Sequence, residues 1–187
     1  MSGFITRKLG MTRTVNEAGE FVAATVLKVE KNSVHQVKTQ EKDGVSAVVI
    51  ASKAIPSAKK SYLKQFMLKE GESFEKGAEM ELSIMKDISE VNIMSFSKGK
   101  GFQGVMKRHN FHGMRATHGS KYRRAPGSIG TRKPRRTKRG QKMPGIMGGD
   151  RVTLHSIPVL DIDKKNQLLV VKGPVPGSIN ALVYVSF

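Results

Sequence analysis

The residues best suited to chemistry begin with a glycine- and lysine-rich run, Ser97–Gly104. Its glycines let the backbone approach another surface closely, and Lys98 and Lys100 can neutralise phosphate groups. The run lacks the Gly-x-x-x-x-Gly-Lys-Ser/Thr spacing of a phosphate loop, so it does not indicate a nucleotide pocket. It favours contact with a phosphate backbone, and the alternative is a solvated basic loop without a partner.

A second block, residues 106–122, interleaves cations with flat rings. This mixture is typical of RNA recognition, in which cations pair with phosphates and rings stack on unpaired bases. The histidines could instead form a metal site or a catalytic base, but no carboxylate or cysteine lies near them to complete either. Phe111 could also pack on a β domain. The members of the block are Lys107, Arg108, His109, Phe111, His112, Arg115, His118, Lys121 and Tyr122.

The third block is almost purely basic and contains two prolines. Pro126 and Pro134, together with several glycines, exclude a long helix and favour an extended arm with charge on all sides. Such an arm suits a narrow channel with phosphate walls, although a nuclear-localisation signal is also possible for an unspecific cluster of this kind. Its cations are Arg123, Arg124, Arg132, Lys133, Arg135, Arg136, Lys138 and Arg139, with Lys142 just beyond.

The charge of the chain is concentrated in this part of the sequence. No acidic residue lies between Glu90 and Asp150, and residues 91–149 hold 15 of the 33 Lys and Arg. The whole chain has a net charge of +18, so all other residues together contribute only +3. A concentration of this size predicts a polyanionic partner. With 11 of the 19 glycines and few apolar side chains, the segment is expected to be irregular alone and ordered by that partner.

The composition excludes several classes of protein. The chain has no cysteine, so disulfides and cysteine-based metal sites are excluded. The N-terminal residues resemble neither a signal peptide nor a transit peptide, and no run reaches the length of a membrane span. We expect a cytoplasmic protein with no cofactor, no metal, no small-molecule substrate and no membrane partner.

The elements that must position the basic segment are mainly β. Alternating and β-branched runs, separated by turn residues, predict short strands and a barrel or a sandwich. One segment, 57–68, could be a strand leading into a turn or a short helix, and we predict the helix. The predicted strands are 21–29, 34–39, 45–50, 79–85, 91–96, 151–162, 167–172 and 181–185, with 151–162 and 167–172 forming a hairpin.

Taken together, the motifs resemble the universal L three family of large-subunit ribosomal proteins, in its bacterial form. The resemblance covers nearly the whole chain, with its motifs in the right order. It is carried by Gly3–Thr12, Asn92–Arg108, Ala116–Ser120, Pro126–Gly130, Lys142–Gly145, Met147–Gly148, Arg151–Thr153 and Leu168–Gly177.

The resemblance implies a small closed β-barrel of the translation-protein type with a long, irregular basic extension inserted between strands. The implied domains are residues 1–96 with 150–187 for the barrel and residues 97–149 for the extension. The barrel would bind large-subunit ribosomal RNA near its 3′ region, act early in subunit assembly and touch neighbouring ribosomal proteins. The extension would thread the RNA toward the peptidyl transferase centre, with a tip formed by Ser128, Ile129, Gly130, Thr131, Arg132 and Lys133 and continuing to about Arg136.

The candidate RNA-binding residues combine the basic blocks with the N-terminal motif. They are Arg7, Lys8, Lys98, Lys100, Lys107, Arg108, Arg115, His118, Lys121, Arg123, Arg124, Arg132, Lys133, Arg135, Arg136, Lys138, Arg139 and Lys142. The chain departs from its relatives in a shorter segment at 53–70. It also has Thr131 after the Gly-Ser-Ile-Gly motif, where bacterial relatives can carry a methylated glutamine. We expect a structural protein and not an enzyme, and the alternative is a general, chromatin-like nucleic-acid packing protein.

Overall fold

Most of the regular structure is β, which confirms the mainly β prediction. The computed structural model describes residues 3–15, 19–53, 61–68, 74–85 and 88–187. Its backbone divides into two compact units. The first unit is Met1–Ser97 with Arg151–Phe187, and the second is Lys98–Asp150.

The first unit contains nearly all of the strands. In chain order it has β1 (Gly3–Val15), β2 (Phe21–Val29), β3 (Asn32–Lys38), helix α1 (Gln40–Asp43), β4 (Ala47–Ser52), β5 (Tyr62–Met67), β6 (Glu79–Met80), a 3-10 turn (Leu82–Met85) and β7 (Glu90–Phe96). The second unit contains β8 (Gly101–Gln103), helix α2 (Val105–His109) and β9 (Gly145–Met147). The first unit then resumes with β10 (Arg151–Asp163), β11 (Leu168–Lys172) and β12 (Leu182–Ser186).

Six strands of the first unit close into a barrel in the order β1-β12-β7-β10-β11-β2. Every neighbouring pair is antiparallel. The pairing of β7 with β10 begins at Phe96 and Arg151, the residues that flank the basic segment in the sequence. The pairing of β10 with β11 confirms the predicted hairpin.

Alternation along the strands builds the barrel core. In β12, Val183 and Val185 are fully buried, whereas the residues between and beside them are partly exposed. β-Branched side chains suit this pleated geometry, and full burial of a large aliphatic side chain contributes about 1.5–3 kcal/mol. The largest fully buried members of the core include Phe4, Ile5, Leu27, Ile93 and Leu169.

A second, four-stranded sheet in the order β5-β4-β3-β6 is tied to the barrel by Asn32. Its side-chain amide accepts a hydrogen bond from the Ile5 N–H (3.0 Å) and donates one to the Ile5 carbonyl (3.1 Å). The same amide donates to the Glu30 carbonyl at 2.8 Å. Asn32 therefore satisfies both backbone groups of a buried β1 residue where β2 no longer pairs with it.

Two sequence predictions fail in this sheet. The helix predicted over 57–68 is wrong where the structure describes it, because Tyr62–Met67 is β5 and pairs with β4 over its whole length. Residues 57–60 of that prediction lie outside the described residues. The strand predicted over 79–85 is present only at Glu79–Met80, since Leu82–Met85 form a 3-10 turn. Among the described residues, no helix is long and apolar enough to cross a membrane.

Candidate nucleic-acid interface

A short β-hairpin brings the two ends of the basic segment together within the second unit. Strands β8 and β9 pair with Phe102 opposite Ile146, and the Lys100 N–H donates to the Met147 carbonyl at 2.9 Å. Gly148 has a φ of +79° and lies so close to the Lys98 carbonyl that a Cβ atom there would collide with it. Only glycine fits both the left-handed backbone and this close approach.

Helix α2 follows the hairpin and is held to the returning chain. Gly104 precedes its first residue, and Asn110 ends it in the left-handed conformation with a φ of +58°. The Arg108 guanidinium donates to the Met143 carbonyl at 2.8 Å, and His109 Nε2 lies 3.0 Å from the same oxygen. The Arg108 guanidinium is therefore engaged in a hydrogen bond within the unit, and this bond holds α2 against the segment before β9.

Residues 113–123 form a loop that the backbone closes on itself. The Met114 N–H donates to the Arg123 carbonyl at 3.2 Å. Gly113 has a φ of +74°, and a Cβ atom there would collide with the same carbonyl. Within this loop Arg115, His118 and Lys121 are all exposed, so their charged or polar ends face solvent.

The segment predicted to form the tip consists of turns stabilised by its own side chains. The Ser128 hydroxyl donates to the Gly130 carbonyl at 3.0 Å, and the Thr131 hydroxyl donates to the Lys133 carbonyl. Every residue from 126 to 140 is exposed. The cations of this segment can thus meet a large partner without any rearrangement of a covering element.

The second unit presents its charge almost entirely to solvent. Its 15 Lys and Arg are all exposed except Arg108, which is half-buried. Because no carboxylate occurs between Glu90 and Asp150, the positive potential over most of the segment is not offset from within it. Exposed, closely spaced cations without internal counter-charges are what a phosphate backbone requires.

Arg7 and Lys8, from the N-terminal motif, occupy a different setting in the first unit. Arg7 donates to the Glu30 carboxylate at 2.9 Å and to the Asn180 side chain at 2.8 Å. Lys8 is only 7% exposed, and its ammonium donates to the Val175 carbonyl at 2.6 Å. Both cations are directed at protein atoms, so we do not include them in the proposed interface.

The geometry adds one pair of residues that the sequence analysis did not single out. Phe102 and Ile146 are 72% and 75% exposed and face each other across the β8–β9 hairpin. In the sequence Phe102 lies in the glycine- and lysine-rich run, whereas Ile146 belongs to none of the three basic blocks. Only the strand register places the two side by side. Among the described residues, no group of three or more His, Cys, Asp or Glu could hold a metal ion.

Comparison with known proteins identifies relatives along nearly the whole sequence. Residues 70–168 match the family described as Ribosomal protein L3. The Large ribosomal subunit protein uL3 of Photobacterium profundum is 41% identical over 203 residues, which cover 99% of this chain and 97% of that protein. The protein of the same name from Brachyspira pilosicoli is 36% identical over 203 residues, covering 100% and 93%. That from Haemophilus influenzae strain PittGG is 42% identical over 202 residues, covering 99% and 97%.

Proposed function

This chain belongs to the ribosomal protein L3 family, and from that premise we propose that it is a structural constituent of the large ribosomal subunit that binds large-subunit ribosomal RNA. Its place is the cytoplasm, within that subunit, and its partners are the RNA and neighbouring ribosomal proteins. The observation that carries the proposal is the second unit, in which all 15 Lys and Arg except Arg108 are exposed and the single carboxylate, Asp150, is the last residue.

The proposed mechanism is charge neutralisation by an irregular arm. RNA strands repel one another through their phosphates, and bound cations lower that repulsion while releasing condensed counterions. An arm with exposed Lys and Arg on all sides lets several strands pack closer than they could unaided. Glycines and turns, rather than long helices, allow such an arm to follow an irregular path.

The finer assignments rest on the family resemblance. We propose that the first unit is the family's translation-protein-type barrel and that it binds the RNA near its 3′ region. We propose further that this binding occurs early in subunit assembly. Residues 97–149 would form the extension toward the peptidyl transferase centre, with Ser128–Arg136 as its tip.

Sedimentation of cell extract tests the proposal directly. The protein is detected in a sucrose gradient at low salt and then at high salt. We expect it to migrate with the large subunit in both, because an integral component is held by many phosphate contacts and by protein neighbours. Migration as free protein or with DNA would contradict the proposal and favour a general nucleic-acid packing protein.

A further inference from the structure

Phe102 and Ile146 form an apolar patch on an otherwise cationic unit. We propose that this pair is a stacking site for an unpaired base of the bound RNA, an assignment that rests on the proposed function. The two side chains are 72% and 75% exposed. They are the two highest exposures of any large hydrophobic side chain among the described residues.

The register makes the pair a single surface. Residues directly opposite on antiparallel strands project from the same face, with Cβ atoms about 4.5–5.5 Å apart. Phe102 and Ile146 are such a pair. Their neighbours in the two strands project to the other face and do not cover the pair. Because Phe102 is 72% exposed, its ring is accessible to a flat ligand.

The hairpin that carries the patch is ordered by contacts that do not involve it. The Lys100 N–H bonds to the Met147 carbonyl at 2.9 Å, and Gly148 packs closely against the Lys98 carbonyl. Phe102 thus contributes little to forming the hairpin, and its substitution should leave the fold intact. A ring fixed on a preformed hairpin also loses little conformational freedom on binding.

The surrounding charge decides which ligand the patch fits. Lys98 and Lys100 are exposed and lie four and two positions before Phe102, and the unit holds 15 Lys and Arg. A protein partner would have to be strongly acidic and apolar at the same place. A nucleic acid supplies both features, because each nucleotide joins a phosphate to a flat, apolar base. The base must be unpaired or terminal, since the faces of bases inside a helix are covered by their neighbours.

Other aromatic residues of the second unit are less suited to this role. Phe111 is only partly exposed, and its ring centroid lies 6.3 Å from that of His109. Tyr122 is 67% exposed but lies in a segment without regular structure. Phe102 alone among these combines high exposure, an apolar neighbour at fixed register and two preceding cations.

Binding of the full chain to a transcribed bacterial large-subunit ribosomal RNA tests the assignment. We expect Phe102→Ala to weaken binding by about 5- to 150-fold, the range for loss of one base stack. Phe102→Trp should bind as tightly as the unchanged chain, because tryptophan also stacks. The log–log salt slope should be the same for all three proteins, since the ring carries no charge. Ultraviolet crosslinking followed by mass spectrometry should join Phe102 to a nucleotide.

Phe21→Ala is the matched control. Phe21 is 70% exposed in β2 of the first unit, so its loss removes a similar apolar area from a unit that does not carry the proposed site. We expect Phe21→Ala to bind the RNA like the unchanged chain. Thermal melting of each variant verifies that the fold is kept.

Several outcomes would overturn the stacking site. Unchanged affinity of Phe102→Ala would do so, as would equal weakening by Phe102→Ala and Phe102→Trp, which indicates a packing role. Crosslinking of Phe102 to another protein in assembled subunits, with unchanged RNA affinity, would make the patch a protein-docking surface instead. A chain that does not bind the RNA even at low salt would overturn the proposed function itself, whereas tight binding that is indifferent to Phe102 overturns only this assignment.

Discussion

At the scale of single residues, identical charges have different roles according to their surroundings. Lys8 is buried, with its ammonium on main-chain carbonyls of the loop before β12, whereas Lys100 is exposed at the start of the basic segment. Sequence alone places both in motifs of the same family and gives no means of separating them. The burial of Lys8 depends on residues far along the chain, so the difference between a buried and an exposed lysine could not be predicted from the sequence.

Lys8→Met and Lys100→Met should therefore have opposite consequences. Lys8→Met removes charged hydrogen bonds to the Val175 and Gly177 carbonyls and should lower the free energy of unfolding by about 1.5–3 kcal/mol. It should leave the salt slope of RNA binding unchanged. Lys100→Met should change stability by less than about 0.5 kcal/mol and reduce the slope by about 0.7–0.9. Urea unfolding and salt titrations measure both, and a reversed pattern would contradict the distinction.

Asn32→Ala should be strongly destabilising for a single polar substitution. It leaves the N–H and carbonyl of Ile5 buried without partners, and we expect a loss of about 2–4 kcal/mol of unfolding free energy. Gln36→Ala, which removes an exposed amide from the same strand, is the control and should cost less than about 0.5 kcal/mol. Similar losses for the two variants in urea unfolding would show that the Asn32 bridge is not important.

At the scale of elements, local pattern predicts strands well where one face is buried. The β-branched run at 21–29 and the alternating segment at 151–162 are strands with nearly the predicted bounds. Tyr62–Met67 is a strand because it pairs with β4 at the edge of the second sheet, although Leu63, Lys64 and Gln65 suit a helix. Pairing with β4 outweighed local preference there, because strand preference depends strongly on the surrounding sheet.

Gly148 and Gly149 allow a test of how the β8–β9 hairpin is held. Their φ values are +79° and +73°, so alanine at either position costs about 1–2 kcal/mol of backbone strain. Only at Gly148 would the new Cβ collide with the Lys98 carbonyl, whereas the space beside Gly149 is open. We expect Gly148→Ala to speed hydrogen exchange of the Lys100 amide more than Gly149→Ala. Equal exchange in the two variants would count against the close packing of this turn.

The proposed tip predicts where the structure of the bound RNA changes, rather than how tightly the RNA binds. Replacing Arg132, Lys133, Arg135 and Arg136 with glutamine should alter chemical probing of the peptidyl transferase RNA in reconstituted subunits. The matched set replaces Arg115, Lys121, Arg123 and Arg124, which removes the same charge from an earlier part of the segment. Overall affinity should fall by a similar amount in both sets, because each removes four cations. The same probing pattern for both sets would argue against a specific tip.

At the scale of the whole molecule, the charge pattern and the fold divide the chain in the same region. The absence of acidic residues between Glu90 and Asp150 could be read from the sequence, and the structure gives Lys98–Asp150 as a separate compact unit. The internal hairpin, helix α2 and the paired Phe102 and Ile146 could not be read in the same way. They depend on glycine-permitted turns and on contacts between residues some forty positions apart.

Deletion of residues 98–142 should separate folding from RNA binding. The β7–β10 pairing lies outside the deleted residues, so we expect a cooperatively unfolding first unit with weak affinity for ribosomal RNA. For the full chain, about 10 phosphate contacts would give a log–log salt slope of roughly −7 to −9. Salt titrations of both proteins measure the difference. A deletion protein that still bound the RNA tightly in high salt would contradict the assignment of the interface.

The closure of the barrel by β1 and β12 bears on the order in which the protein matures. The Thr6 hydroxyl donates a hydrogen bond to the Val183 carbonyl, a partner 177 positions later in the chain. Strand β12 lies between β1 and β7 in the barrel and pairs with both, so the barrel cannot close without it. Synthesis at about 5–20 residues per second means that the barrel stays open for several seconds after the basic segment has been made. A nascent chain therefore carries its complete set of extension cations before its barrel can close.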